Sequence, residues 1–379
     1  MTYSNQILYV YIHLINFRDQ SLKKSKIKLL KNHWRIIIIG GGQAGLATSY
    51  HLKKLGEDFI LLDEGEKIGD VWRKRWDSLR LFTPSQYDGL PGFPFPSQYN
   101  TFPTKDEMAD YLGEYTKHFN LPVLLETRVI KLSKTGSSFN IVTSNQTFTS
   151  DVVVICTGSN PSPFIPDFAS EIDKNIFQTH SSQYRNPDSV PGGDTLVVGV
   201  GTSGVEIAIE LSKSRRTLIA GKPVPEIPYD PFRYVPWFNW WFASNISTIK
   251  APFFFQAKRF FKGGTPLIRF KLTDLDAAGV QRLPRVSGVK NGNPLLAGGK
   301  EVSVLNIIWA TGYKPDFSWI DFDVTDERGW LNGERGISNV TKGLYYVGMW
   351  FQFALTSALI GGVGRDAEFV ANHIKNYRR

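Results

Sequence analysis

The sequence predicts an α/β chain built as two similar modules, one set inside the other. An apolar run at 36–39 enters Gly40-Gly41-Gly42-Gln43-Ala44-Gly45 and continues into a helical stretch. The same grammar returns where 195–198 enters Gly199-Val200-Gly201-Thr202-Ser203-Gly204. Each turn is followed, at nearly the same interval, by an apolar strand ending in Thr-Gly, first at 152–158 and then at 307–312. A repeat of that length means two domains of one fold rather than a solenoid.

Taken in order, the first turn is predicted to open a helix running to Leu55, followed by a strand at 59–62 that ends on Asp63. The second opens a helix through Lys213, followed by a strand at 217–220 that ends on Gly221-Lys222. Beyond Gly312 a loop rich in Asp and Gly leads to a strand at 344–347 and a closing helix at 364–377. That is too little for a third domain, so it completes the first. The expected boundaries are 34–160 with 313–379 for the first domain and 161–312 for the second. Residues 223–261 carry Trp237, Trp240, Trp241, Phe253, Phe254, Phe255, Phe260 and Phe261 among few acids. They read as a helical lid packed on the second domain, with a membrane-facing or apolar-substrate surface as the alternative.

Composition bounds the rest. With 379 residues and 42% hydrophobic content the chain can bury two ordinary cores. A net charge of +9 attracts polyanions, anionic lipid or phosphorylated cofactors without choosing among them. No nucleic-acid module is recognisable and the basic residues are dispersed, so no nucleic-acid partner is expected. The single cysteine, Cys156, excludes an internal disulfide, a CxxC redox pair and a cysteine-based metal site, and no metal is expected. Cys156 directly precedes Thr157-Gly158 at a strand end and reads as core. The apolar stretch at 7–17 is far below the roughly 20 residues that span a bilayer. Its lysines follow rather than precede it, which disfavours a secretory signal. Residues 1–33 read as an extension outside the fold, and the expected location is the cytoplasm.

A Gly-x-Gly-x-x-Gly turn suits a dinucleotide for steric and electrostatic reasons. The first glycine permits the tight turn, the second lets a pyrophosphate reach the backbone, and the third allows close helix packing. The phosphates then meet free N–H groups at the helix N-terminus. At the first turn Gly40, Gly42, Gln43, Ala44 and Gly45 are the expected contacts, with Asp63 and its neighbour Glu64 placed for the ribose hydroxyls of an adenosine. At the second turn the contacts expected are Gly199, Gly201, Thr202, Ser203 and Gly204. The matching strand end there carries Lys222 and no acid, and Arg215 and Arg216 precede the strand. A carboxylate would repel a 2′-phosphate and a lysine can pair with one, which favours NADPH over NADH. A solvated lysine is the plain alternative.

The motifs GGGQAG, DVWRKRWDSLRLFTP, FPFP, CTG, HSSQY, GVGTSG and ATGY occur in the order of class B flavin-dependent monooxygenases. From about residue 34 onward the chain resembles that family, and most nearly its bacterial YUCCA-like flavoproteins. The resemblance implies two Rossmann-like dinucleotide-binding domains, the NADPH domain inserted in the FAD domain. It implies that Trp72 and Arg73 match the Trp-Arg pair beside the flavin, and that Ala310, Thr311, Gly312 and Tyr313 match the linker between the domains. It implies an FAD- and NADPH-dependent monooxygenase that forms a C4a-hydroperoxyflavin and oxygenates a small organic substrate with dioxygen. Because the flavin does the hard chemistry, no catalytic side chain is assigned.

Two departures are visible. His180 and Tyr184 stand in the family fingerprint Phe-x-Gly-x-x-x-His-x-x-x-Phe/Tyr, but Lys174 and Ile176 occupy its Phe and Gly positions. His180 can equally be a structural loop histidine, and Trp72 a core residue. Phe82 lies near where amine-oxidising members carry an active-site Asn. Two alternatives therefore stand beside oxygenation: an FAD-dependent NADPH oxidoreductase reducing a quinone or other acceptor, and a membrane-associated regulatory flavoprotein.

Overall fold

The computed structural model describes residues 31–158, 162–227, 232, 235–251, 266–327 and 329–377. The predicted extension at 1–33 falls mostly outside them, but its last residues belong to the fold. Lys31 pairs with Asp58 at 2.5 Å and β1 (His33–Ile39) begins two residues later.

β1 ends in four isoleucines because both faces of the strand are covered, as a central parallel strand requires. It feeds the first glycine turn and α1 (Gln43–Lys54), then β2 (Phe59–Leu62) and a short α2 (Asp70–Arg73). A long loop leads to α3 (Lys105–His118), which opens on a capping box formed by Thr104 and Glu107. β3 (Val123–Leu124), β4 (Val129–Thr135), β5 (Ser138–Thr143) and β6 (Thr147–Ile155) follow. β6 serves three partners: its first half pairs antiparallel with β5, most of its length runs parallel to β1, and its last residues also run parallel to β18, the strand at 344–346.

The chain then crosses through β7 (Ser162–Pro163) to a second sheet. This holds β8 (Phe177–His180), β9 (Thr195–Val198), β10 (Thr217–Ala220), β11 (Gln281–Leu283) and, after the hairpin β12 (Val286–Lys290) and β13 (Asn293–Leu296), β14 (Asn306–Trp309). α4 (Thr202–Ser212) links β9 to β10; α5 (Pro236–Trp241) and α6 (Leu272–Ala277) lie between β10 and β11. β15 (Tyr313–Lys314) returns antiparallel to β7. β16 (Gly333–Glu334), β17 (Ile337–Ser338) and β18 (Leu344–Tyr346) rejoin the first sheet, and α7 (Val363–Asn376) closes on α1.

Strand order is β16-β17-β18-β6-β1-β2-β3 in the first sheet and β11-β10-β9-β14-β8 in the second. Each sheet is packed on both faces, and the alternation of side chains sorts the cores. Ile36 and Ile38 face α1, α3 and α7, while Ile37 and Ile39 face the β4–β6 side. In the second sheet Val197, Ile219 and Ile308 pack under α4, and Leu196, Leu218 and Trp309 pack on the hairpin side.

The aromatic segment is placed differently from expectation. Its described part divides: Val224 packs on the second sheet's core as expected, whereas 235–251 rests on the first sheet's end of the molecule, where Trp240 stacks on Tyr87 at 5.0 Å and Arg365 donates to the carbonyl of Ser244 at 2.6 Å. The physical reason is that its backbone is tied to 353–355, through Ile249 N to Phe353 O and Leu355 N to Ser247 O. Residues 228–231, 233, 234 and 252–261 of the segment lie outside the described residues.

Candidate functional site

The two glycine turns share one steric design. A Cβ on Gly40 (φ +107°) would lie 2.6 Å from the carbonyl of Cys156, and one on Gly45 would lie 2.0 Å from the carbonyl of Gly40. A Cβ on Gly42 would meet nothing within 4 Å. The second turn repeats this: Gly199 (φ +116°) would strike Ala310 O at 2.2 Å, Gly204 would strike Gly199 O at 2.0 Å, and Gly201 would meet nothing within 4 Å. The outer glycines are thus fixed by the fold, and the middle one is not. α1 and α4 both begin without a side-chain cap and without an acid in the first turn. Each leaves free N–H groups and the positive end of the helix dipole facing the open position.

Register brings the expected residues to these turns. Ile39 aligns with Leu62 and Ile155, so the carboxyl ends of β1, β2 and β6 coincide at Gly40. Asp63 sits there, accepting from Gly41 N at 2.6 Å and from Gly65 N at 2.9 Å, with lone pairs to spare on both oxygens. Glu64 is exposed and lies 3.6 Å from Arg128. Gln43 and Ala44 form the first turn of α1. Trp72 lies half-buried on α2 against the first core, and its indole N–H is buried with no partner among the described residues. Arg73 is held differently: it donates to Ile68 O and Asp110, both at 2.8 Å, and so anchors α2 to α3.

At the second turn Val198, Ala220 and Trp309 end together, which puts Lys222, exposed, at the carboxyl end of the sheet. Thr202 and Ser203 open α4. Arg215 and Arg216 are at the opposite end of β10 and are engaged there. Arg215 donates to the carbonyls of Pro187, Val190 and Pro191, and Arg216 pairs with Asp194 at 2.6 Å. Lys222 is therefore the cation that this strand brings to the turn.

The linker joins the two halves. Thr311 donates its hydroxyl to Phe164 O, and Gly312 (φ +82°) accepts from Phe164 N at 2.9 Å. His180 is buried against the same carbonyl, with Nε2 3.1 Å from Gly312 O. Ser182 N donates to His180 Nδ1 at 3.1 Å, which leaves the proton on Nε2 and makes the ring neutral. Burial pushes its pKa down, and Arg75 adds to this. His180 is thus a structural clasp on the linker. Arg75 also donates to the Tyr313 hydroxyl at 3.0 Å, while Trp76 is buried in the second sheet's core.

Three features escaped the reading of the sequence. Gly348 (φ +92°), just past β18, approaches so closely that its Cβ would lie 2.8 Å from that of Ala44. The pair Gly361-Gly362 before α7 is pressed against Tyr87 O and Thr356 O, at 1.9 and 2.0 Å from their would-be Cβ atoms. A glycine pair directly ahead of the closing helix was the available signal. Beside Tyr87 lies Asp88, buried, accepting from the Thr83 hydroxyl at 2.5 Å, with Oδ2 unpartnered among the described residues. Burial pushes its pKa up to about 7. No sequence pattern marks a buried carboxylate in a loop. Cys156 is buried as expected, its thiol pushed up to about 12 by burial.

The family model described as pyridine nucleotide-disulphide oxidoreductase matches residues 37–233. A CzcO-like oxidoreductase of Geobacillus kaustophilus is 38% identical, covering 90% of this chain and 98% of that one. The protein described as "Probable indole-3-pyruvate monooxygenase YUCCA8" of Arabidopsis thaliana is 27% identical over 89% of this chain and 88% of its own length. Among solved structures, the flavin-containing monooxygenase from Stenotrophomonas maltophilia superposes with a TM-score of 0.72 at 23% identity, over 91% of this chain and 99% of that one. A lone buried cysteine leaves no dithiol pair for the disulphide chemistry in the family's title. The chain belongs to the pyridine nucleotide-disulphide oxidoreductase family, on its class B flavin monooxygenase-like branch, and is an oxidoreductase of that kind.

Proposed function

We propose that the chain is a monooxygenase that holds FAD on the first glycine turn and NADPH on the second, in two Rossmann-like domains of which the NADPH domain is inserted in the FAD domain. The observation that carries this reading is that a Cβ on Gly42 or Gly201 would meet no protein atom, while the glycines flanking each are closed off by the fold itself. Two such cradles in one chain fit a resident cofactor and a visiting reductant whose reactive rings meet between the sheets. Flavin, when bound, supplies the redox chemistry: two electrons from NADPH reduce dioxygen, one oxygen atom entering a small organic substrate and the other leaving as water.

This chain's residues then have definable tasks. The N–H groups of Gly42, Gln43 and Ala44 hold one pyrophosphate, and Asp63 accepts from ribose hydroxyls. The unpartnered indole N–H of Trp72 is a donor available to a ligand placed against α2. Thr202, Ser203 and the backbone at Gly201 hold the second pyrophosphate, and Lys222 takes the 2′-phosphate. His180 and the Arg75–Tyr313 bond keep the linker, and so the spacing of the two sites, fixed. Lys174 and Ile176 at the fingerprint positions favour one second reading, electron transfer to a quinone or similar acceptor without oxygen insertion.

Substituting Gly42→Ala and Gly201→Ala separately tests the two cradles. Gly42 has φ −76°, which alanine adopts freely, so the variant should fold and melt like flavin-stripped wild type, and purify without flavin. Gly201→Ala should keep its flavin and resist reduction by NADPH. Full flavin content in the first variant, or normal reduction of the second, would refute the assignment.

A further inference from the structure

On the reading of the two glycine turns as nucleotide cradles, we propose that Arg75 and the Tyr313 hydroxyl together hold an oxyanion of a ligand bound between the two sheets. That oxyanion is a phosphate of the visiting nucleotide or a carboxylate of the substrate. Ligands of open α/β sheets bind outside the carboxyl ends of the strands, and Arg75 stands where such ends come together. Tyr313, its partner, follows the end of β14, and His180, whose ring lies 5.3 Å from that of Tyr313, ends β8. Trp72, three residues earlier, packs on the first sheet's core, while Trp76, the next residue, is buried in the second sheet's core. Arg75 is thereby fixed at the boundary between the two, half-buried.

Two donors at this place lack an acceptor. Among the described residues, Arg75 makes one hydrogen bond, donated to the Tyr313 oxygen at 3.0 Å, and no carboxylate pairs with it. The next acid along the chain, Asp77, is turned to Asn186 at 2.7 Å. Most of the guanidinium's N–H groups therefore remain open, in a planar fork shaped for a carboxylate or phosphate. Tyr313, having accepted from Arg75, still has its own proton to give and meets no acceptor among the described residues. His180 does not supply one, because its Nε2 proton goes to Gly312 O and its Nδ1 lone pair is taken by Ser182 N. Burial, with Arg75 beside it, keeps that ring neutral, so the guanidinium is the one charge among the three side chains. Holding the linker uses one N–H of Arg75 and a lone pair of Tyr313. The donors left over sit half out of water, where an unpaired cation attracts an anion more strongly than in bulk solvent.

The flavin-loaded protein is titrated by calorimetry with NADP+, with benzoate as a plain carboxylate, and with benzamide as its uncharged counterpart. Arg75→Gln should weaken NADP+ or benzoate by about tenfold or more, the worth of one charge-assisted bond, and leave benzamide unchanged. Arg75→Lys, which keeps the charge but not the fork, should recover part of the loss. The affected affinity should also fall more steeply with added salt in the wild type than in Arg75→Gln. A loss confined to NADP+ assigns the oxyanion to the nucleotide, and one confined to benzoate assigns it to the substrate. Equal binding of both anions by wild type and Arg75→Gln overturns the proposal, as does a wild type that binds neither. Parallel losses of benzoate and benzamide, or a loss with the same salt dependence in both proteins, also overturn it, because Arg75 then only holds the linker. If Arg75→Gln loses its flavin, Tyr313→Phe carries the test: it should weaken the same anion by about threefold or more, and no change overturns the proposal. A wild type that neither binds NADP+ nor is bleached by NADPH refutes the second cradle itself, whereas NADP+ binding that ignores Arg75 leaves the cradle standing.

Discussion

Alanine at Gly42 and alanine at Gly45, three residues apart, have opposite expected consequences. The first adds a methyl to open space and blocks a ligand; the second drives it into the carbonyl of Gly40 and should cost about 2 kcal/mol or more of stability, read as a lower denaturant midpoint. Lys222→Ala should leave flavin binding intact and lower the preference for NADPH over NADH by about tenfold or more, the worth of one charge-assisted bond to phosphate. Asp88 sets a pH dependence. Its folded pKa, pushed up to about 7 from 3.8, means that the unfolded chain loses this proton first as pH rises. Between those values stability falls with pH, by about 1.4 kcal/mol per pH unit at most, and above about 7 the penalty is constant. Asp88→Asn should therefore match the wild type near pH 4 and exceed its stability at neutral pH, in urea melts across that range. A wild type and variant that differ equally at all pH values would contradict this. At this scale the two glycine turns and the place of Asp63 beside the first were legible because strand, glycine turn and helix follow one another directly in the sequence. Asp88 was not, because its burial depends on Thr83 and on a loop that the sequence alone does not fold.

Strands and helices reveal how far periodicity reaches. β2, β9 and β10 end where the apolar runs end, because interior parallel strands are apolar on both faces and stop at glycine or a charge. β4 and β5 were missed, since VIKLSKT and SFNIVT mix polar and apolar residues on a half-exposed hairpin that looks like linker. α3 was missed although its capping box was written in Thr104-Lys105-Asp106-Glu107. Thr104→Ala should cost about 1 kcal/mol, seen as a lower urea midpoint at unchanged slope. Adding Glu107→Ala should cost less than the sum of the two, because both act in one box. Additive losses would mean that the two residues act separately.

The whole molecule depends on contacts between distant parts of the chain. The tandem repeat predicts two modules with the C-terminal segment belonging to the first, and β18 pairs with β6 in the first sheet. Residues 235–251 of the aromatic segment were misplaced because their seat is made by Tyr87 and Arg365, which lie far from them in sequence and on either side. Long-range contacts also hold the linker between the two glycine turns, through Arg75 against Tyr313 and His180 against Gly312. That hold on the linker matters only if electrons pass from one cradle to the other. The decisive measurement is anaerobic reduction of the purified protein by NADPH and, separately, by NADH, followed by mixing with oxygen while the flavin spectrum is recorded. Rapid bleaching by NADPH in preference to NADH, then a long-lived spectrum distinct from both reduced and oxidised flavin, is the expected result. Immediate return to the oxidised spectrum would contradict oxygenation and favour another acceptor, and no bleaching by either nucleotide would contradict the two-cradle reading itself.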